Sequence, residues 1–171
     1  AYPAMLAAID GAKKSVALGA YIFRDDRTGG RFVESLSRAT ARGVTVRVLV
    51  DDVGCLVSLP DLDHSFQRAH VTMARFLPTW LPWRTQFLNL RNHQKLLVID
   101  GAVAFTGGMN ITDSSWLSLK PDWPVHDMMF RLEGPVVSQL MESFARDWRF
   151  TTEEILEGPH WFPTLGALGP V

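Results

Sequence analysis

The first fifty residues hold two apolar runs of strand character separated by one helix-length segment, and this arrangement admits few folds. SVALGAYIF (15–23) and VTVRVLVDD (44–52) are rich in β-formers and nearly continuous in apolar character, as strands covered on both faces are. Between them a turn rich in charge and glycine (RDDRTGG, 24–30) leads into residues 31–42. There Phe32, Val33, Leu36 and Ala39 form an apolar stripe that ends at Gly43, a natural C-terminal cap. Strand, helix, strand with a crossover of that length predicts a parallel βαβ unit with a right-handed connection. The fold class is therefore α/β, and a helix over residues 4–13 precedes the unit.

The rest of the chain extends this pattern. Residues 53–70 read as loop and short helix, 71–77 as a strand, and 77–92 as an irregular excursion broken by Pro78 and Pro82. KLLVID (95–100), a turn at Gly101 and AVAFTGG (102–108) predict a hairpin. A further strand is expected at 126–132. A helix follows at 136–148, with Val136, Val137, Leu140, Phe144 and Trp148 on one face. The last twenty residues hold three Pro and three Gly and read as a tail or linker. The expected organisation is one domain over 1–150 followed by a tail at 151–171.

Composition sets bounds on function. A hydrophobic share of 47%, 20% charged residues and a net charge of -1 fit a globular domain and give no bulk signal for nucleic acid. The single cysteine, Cys55, matches no zinc spacing and closes no internal disulfide. No apolar run is long enough to cross a bilayer, and no signal peptide is read at the N-terminus. Because the chain opens on Ala1 inside an expected helix, a piece of a longer protein is expected.

The chemistry is concentrated in RNHQKLLVIDGAVAFTGGMNIT. On a strand, His93 and Lys95 project from the same face, so an imidazole and an ammonium can converge on one phosphate. Asn110 returns to the same point after the glycine pair. Gly107 and Gly108 allow close backbone approach and are expected to leave N–H groups facing an anion. Together these supply a nucleophile or acid, a fixed positive charge and neutral donors, as attack on a phosphodiester requires. Asp100 lies seven residues beyond His93, an odd offset that points it to the opposite face, so its role is expected to be structural.

These residues resemble the His-x-Lys-x4-Asp-x6-Gly-Gly-x-Asn signature of the phospholipase D superfamily, matched at every fixed position. Chance would produce it in a chain of this length with odds on the order of one in a million. YIFRDDRTGGRFVESLSRATARGVTVRVLVDDVG and HDMMFRLEGPVV are also similar to the N-terminal half of bacterial cardiolipin synthases and related phosphatidyltransferases, over about residues 4–150. The resemblance implies a phospholipase D-like half with a mixed, mostly parallel sheet flanked by helices on both faces. It also implies a two-step reaction without metal or cofactor. One histidine attacks phosphorus, a second protonates the leaving alkoxide and then activates the acceptor, and Lys95 and Asn110 hold the non-bridging oxygens. Asp127, on the strand after the motif, would orient His93.

Complete enzymes of this type carry two motif copies, and this sequence holds one. A second half is therefore expected, from a homodimer or from a C-terminal region. The substrate implied is a phospholipid on the cytoplasmic side of a membrane. A homodimeric nuclease or phosphodiesterase and an inactive phosphate-binding module are the alternatives. Trp80, Leu81, Trp83, Phe87 and Leu88 suit a lipid interface, with Arg84 and Arg91 at phosphates or, less favoured, at a nucleic-acid backbone. Asp51 and Asp52 end a strand and are expected to cap a turn rather than bind metal, and His126 is expected to be structural.

Overall fold

The computed structural model describes residues 1–55, 59–77 and 92–166, side chains 59–61 excepted. Helix α1 (Tyr2–Gly11) leads to strand β1 (Ser15–Ala20), helix α2 (Arg27–Ala41) and strand β2 (Thr45–Asp51). Helix α3 (Leu59–Arg68) and strand β3 (Thr72–Phe76) follow. The hairpin strands are β4 (Leu96–Ile99) and β5 (Val103–Gly107), and β6 (Met129–Glu133) precedes helix α4 (Val136–Thr152). The strands form one sheet in the order β3-β2-β1-β4-β5-β6. β1 pairs parallel with β2, and β2 with β3, whereas the β1–β4, β4–β5 and β5–β6 pairs are antiparallel. Four strands, β1, β2, β3 and β5, thus run one way in a mixed sheet.

Alternation along the strands feeds two cores, one on each face. Val16, Leu18, Val46, Val48 and Val50 pack with Met5 and Ile9 of α1, Phe32 and Leu36 of α2, and Leu62 and Phe66 of α3. Ala17, Leu49, Leu96 and Val98 pack on the other side with Val137, Met141, Phe144 and Trp148 of α4. Every residue of β1 is buried, which is why its sequence reads as a continuous apolar run rather than an alternation.

Local differences from the sequence reading concern element ends and packing. Helix α2 begins at Arg27, earlier than expected, because the Asp26 side chain accepts from Gly29 N (3.0 Å) and caps it. Gly29 serves packing rather than a turn, since a Cβ there would overlap the Arg24 carbonyl. β1 stops at Ala20 rather than residue 23, and α4 runs on to Thr152. Residues 153–166, beyond α4, contain no helix or strand yet pack on the sheet. Leu156 and Trp161 are buried, Ser15 Oγ donates to the His160 carbonyl (2.6 Å), and Arg47 Nε donates to Glu154 (2.8 Å).

Asp100 organises the end of the sheet where the β4–β5 hairpin turns. Asp100 and Gly101 both have positive φ, 52° and 64°, and Ala102 N returns to the Ile99 carbonyl at 2.9 Å, the mirror-type turn favoured by an Asp-Gly pair. The Asp100 carboxylate accepts from three consecutive backbone amides, with Lys14 N at 2.7 Å, Ser15 N at 3.0 Å and Lys13 N at 3.0 Å. These are the amides that lead into β1. Asp100→Ala is expected to lower unfolding free energy by about 1–3 kcal/mol, read as a lower denaturant midpoint at unchanged slope.

Candidate functional site

Strand direction assembles the site. Because β4 runs antiparallel to β1, with Gly19 opposite Leu96, the residues just before β4 lie beside those just after β1. β2 is parallel to β1 and ends at the same edge. Tyr21, Asp51 and the stretch 92–95 therefore meet at the carboxyl ends of β1 and β2, where open α/β sheets form ligand sites.

Five hydrogen bonds hold the 92–95 stretch. Asp51 Oδ2 accepts from Asn92 N (3.1 Å), and Asn92 Oδ1 accepts from Gln94 N (3.0 Å). Asn92 Nδ2 donates to Asp147 (2.9 Å) and Gln94 Nε2 to Ser143 (3.2 Å), both on α4. Thr106 Oγ1 of β5 donates to the Lys95 carbonyl (3.0 Å). Burial raises the pKa of the Asp147 carboxyl. Asp51 also accepts from Val53 N and Gly54 N, so it caps the turn after β2. Asp52 lies 3.7 Å from Arg75. Among the described residues no group of three or more His, Cys, Asp or Glu side chains could hold a metal.

His93 is exposed, whereas Lys95 is buried at 6% exposure. Lys95 Nζ lies 3.2 Å from His93 Nδ1 and donates to the His93 carbonyl (3.0 Å). The Tyr21 ring stands 4.2 Å from the imidazole, centroid to centroid, and 5.0 Å from Lys95 Nζ. Loss of water lowers the Lys95 pKa, and the nearby Asp127 charge opposes that shift. A charged lysine can only donate, so in this arrangement Nδ1 is the acceptor and Nε2 carries the proton of an uncharged imidazole.

Asn110 reaches this edge through the chain between β5 and β6. Its Oδ1 accepts from Ile22 N (3.3 Å), which leaves Nδ2 without a hydrogen-bond partner among the described residues. The Asn110 carbonyl accepts from the Tyr2 hydroxyl. Ile111 bridges Phe23, and Asp113 accepts from the Thr28 amide (2.7 Å) and hydroxyl (2.6 Å) at the start of α2. The N-terminus of α2 thus fixes the loop that carries Asn110.

The glycine pair acts differently from the anion cradle expected of it. Gly108 N donates to the Met128 carbonyl (3.0 Å), so that amide is committed within the protein. A Cβ on Gly107 would overlap the Met128 carbonyl, and one on Gly108 the Asp127 carboxylate. The two glycines admit the segment that brings in Asp127. Asp127 is exposed, accepts from Met128 N (2.7 Å), and makes no hydrogen bond with His93. His126 beside it is exposed as well.

Along this segment runs an apolar groove of about 480 Å³, lined in part by Met109, Trp116, Leu117, Val125, Met128 and Phe130, with Asp127 at its wall. Trp123 (86% exposed), Met128 (64%) and Phe130 (55%) stand bare beside it. Cys55 is buried, and that burial pushes its thiol up to about 11, outside the reactive range. Arg84, Arg91, Trp80, Leu81, Trp83, Phe87 and Leu88 lie outside the described residues.

Sequence reasoning missed Tyr21, Asp51 as the anchor of the motif, Asn92 and Asp147. The available signal was position: Tyr21 and Asp51 close the two parallel strands at the edge where such sites are built.

Comparison with known proteins agrees with this geometry. The family model described as cardiolipin synthase, PLD-like domain, matches residues 5–148. Cardiolipin synthase of Listeria welshimeri is 32% identical over 171 residues, covering 98% of this chain and 35% of the relative. Cardiolipin synthase A of Pseudomonas syringae is 35% identical with the same shares covered. The chain thus spans about a third of the length of the curated relatives it matches. Among solved structures, Nuc of Salmonella typhimurium, a phospholipase D family member, superposes with a TM-score of 0.66 at 19% identity, covering 86% of each chain. NucT of Helicobacter pylori gives 0.62 at 12% identity, again over 86% of each. These two likenesses establish the fold.

Gly108→Ala tests the packing of the glycine pair. It is expected to displace the exposed Asp127 side chain at little cost in stability and to move the Lys95 titration to lower pH, as read by lysine side-chain NMR. With its signature at 93–110 and the family model matched over residues 5–148, this chain belongs to the phospholipase D-like domain family of the cardiolipin synthases.

Proposed function

We propose that the chain is one motif-bearing half of a cardiolipin synthase-like phosphatidyltransferase or phospholipase D, acting on phospholipid phosphodiesters at the cytoplasmic side of a membrane. The observation that carries the reading is the pairing of an exposed imidazole with a buried ammonium 3.2 Å away. An exposed His93 can reach a substrate phosphorus, while Lys95, short of water, gains most by meeting an anion. The cardiolipin synthases matched at 32–35% identity favour a lipid substrate. Among the described residues no helix is long and apolar enough to cross a membrane.

In the proposed first step His93 Nε2 attacks phosphorus. The bond to the leaving alkoxide breaks, and the alkoxide takes a proton from the second half's histidine. Lys95 Nζ and Asn110 Nδ2 hold the non-bridging oxygens. In the second step water or an alcohol attacks the phosphohistidine and loses its proton to the same second histidine. Attack requires a lone pair on Nε2, hence the proton on Nδ1. Nδ1 faces Lys95 in the unliganded half. A bound phosphate that draws Lys95 away frees Nδ1 for the Asp127 carboxylate, which fixes the reactive tautomer. Asp100 remains outside this chemistry, occupied with the amides of residues 13–15.

The second half is provided either by the remainder of a longer chain, as the 35% coverage of the relatives favours, or by a second copy. The homodimeric phosphodiesterase or nuclease is the second reading, favoured by the 86% coverage of the Nuc chain, a phospholipase D family member of similar length. Supplying a second motif-bearing half in EDTA distinguishes them. On the leading reading, phosphatidylglycerol vesicles are turned over only in the mixture, and His93→Ala lowers the rate by about 10³-fold or more. Metal-free DNA cleavage by the chain alone, at a rate rising with dimer concentration, would establish the second. Phosphate binding without turnover in any assembly would make the chain a binding module.

The lowered Lys95 pKa gives a pH dependence. Binding of inorganic phosphate, followed by titration calorimetry, is expected to weaken as pH rises through a value below the ordinary lysine range, because only the protonated ammonium attracts the anion. Since Asp127 raises the Lys95 pKa, Asp127→Asn is expected to move that loss to still lower pH.

A further inference from the structure

The structure assigns Tyr21 a positioning role: its ring face orients the His93 imidazole and holds the Lys95 ammonium against Nδ1. The inference rests on the reading of His93 as the reacting histidine. The three groups form a closed triangle. The Tyr21 and His93 rings lie 4.2 Å apart at 48°, Lys95 Nζ stands 5.0 Å from the Tyr21 centroid, and Nζ is 3.2 Å from His93 Nδ1.

Each side of the triangle supplies something the others lack. His93 is exposed and precedes β4, and Lys95 meets its imidazole from the same stretch. The Tyr21 ring restricts it from one side. Lys95 has lost most of its water, and the electron-rich ring face replaces part of that stabilisation, an attraction of about 0.5–2 kcal/mol for an ammonium over an aromatic ring. With Nζ held there, it faces Nδ1, so the resting imidazole keeps its proton on Nε2. The ring face fixes the direction in which Nε2 points, and the tautomer changes only when a bound phosphate draws Lys95 away.

The backbone under Tyr21 is pinned from several directions. Its carbonyl accepts from Cys55 Sγ (3.6 Å), and a Cβ on Gly54 would overlap that same carbonyl. On the following residues, Ile22 N donates to Asn110 Oδ1 (3.3 Å) and Phe23 N to Cys55 Sγ (3.3 Å). Gly54 therefore has a reason to be glycine, and buried Cys55 a reason to be small and weakly polar: they let the turn after β2 press on the residue that braces His93. The hydroxyl of Tyr21 takes no part in these contacts, so the ring is the operative group.

The test compares Tyr21→Phe, which keeps the ring, with Tyr21→Leu, which keeps apolar bulk but removes the π face. The imidazole nitrogens of His93 are read by long-range ¹H–¹⁵N correlation in the ¹⁵N-labelled chain, with the backbone amide spectrum as the control for folding. Wild type and Tyr21→Phe are expected to show one tautomer, protonated at Nε2, and Tyr21→Leu the averaged shifts of both. With the second half supplied, Tyr21→Leu is expected to lose about tenfold in kcat, with KM within about twofold and Tyr21→Phe close to wild type. A Tyr21→Leu chain that is folded and keeps the wild-type tautomer spectrum would overturn the inference. If the tautomer shifts in Tyr21→Leu while no form turns over lipid with the second half, the positioning stands and the proposed function fails instead. If Tyr21→Leu does not fold, Tyr21→Met replaces it under the same criteria.

Discussion

The antiparallel pairing of β4 with β1 is the constraint on which the site depends. Had β4 run parallel to its neighbour, His93 and Lys95 would lie at the opposite end of the sheet from Tyr21 and Asp51. The fully buried β1, with a parallel partner on one side and an antiparallel one on the other, converts sequence separations of 30 to 83 residues into contacts within hydrogen-bonding distance. The same pairing brings the far end of β4 beside the start of β1. There Asp100 accepts from the amides of residues 13–15 and locks the register. One short motif thus spans both ends of one strand, with His93 and Lys95 at the candidate site and Asp100 in alignment of the sheet.

Burial and exposure divide the work within the motif. Lys95 lies under a residue that is open to solvent, and its charge is sustained by a carbonyl, an imidazole nitrogen, an aromatic face and the field of Asp127. A cation stabilised by several weak partners transfers readily to a strong one, and a phosphate is the strongest partner of the set. The arrangement is preorganised for an anion while, among the described residues, no single protein group holds the ammonium as a tight ion pair would.

Much of this was legible in the sequence, for identifiable reasons. β1 and β2 stood out because burial on both faces leaves a continuous apolar run, and the β4–β5 turn because Asp-Gly suits its backbone. The signature marked His93, Lys95 and Asn110 because spacing within a hairpin is a local property. What was not legible depends on long-range contact. Gly29 and Gly30 read as a turn, yet Gly29 lies inside α2 so that the Arg24 carbonyl can approach. Residues 153–166 read as a tail because of the Pro and Gly content of the last twenty residues, and only the folded sheet gives Leu156 and Trp161 a surface to cover. Tyr21 carried no motif, since its contact with His93 exists only once β1 and β4 are in register.

The apolar groove beside Asp127 has a consequence for handling the protein. Trp123, Met128 and Phe130 present large apolar side chains to water, and Met128 and Phe130 line the groove together with Asp127. Exposed apolar surface of this kind promotes self-association when nothing covers it. Solubility of this chain and access to its active edge are therefore governed by one surface: conditions that mask the groove with detergent to keep the chain dispersed also occlude the approach to Asp127, so colloidal behaviour and ligand access have to be optimised together.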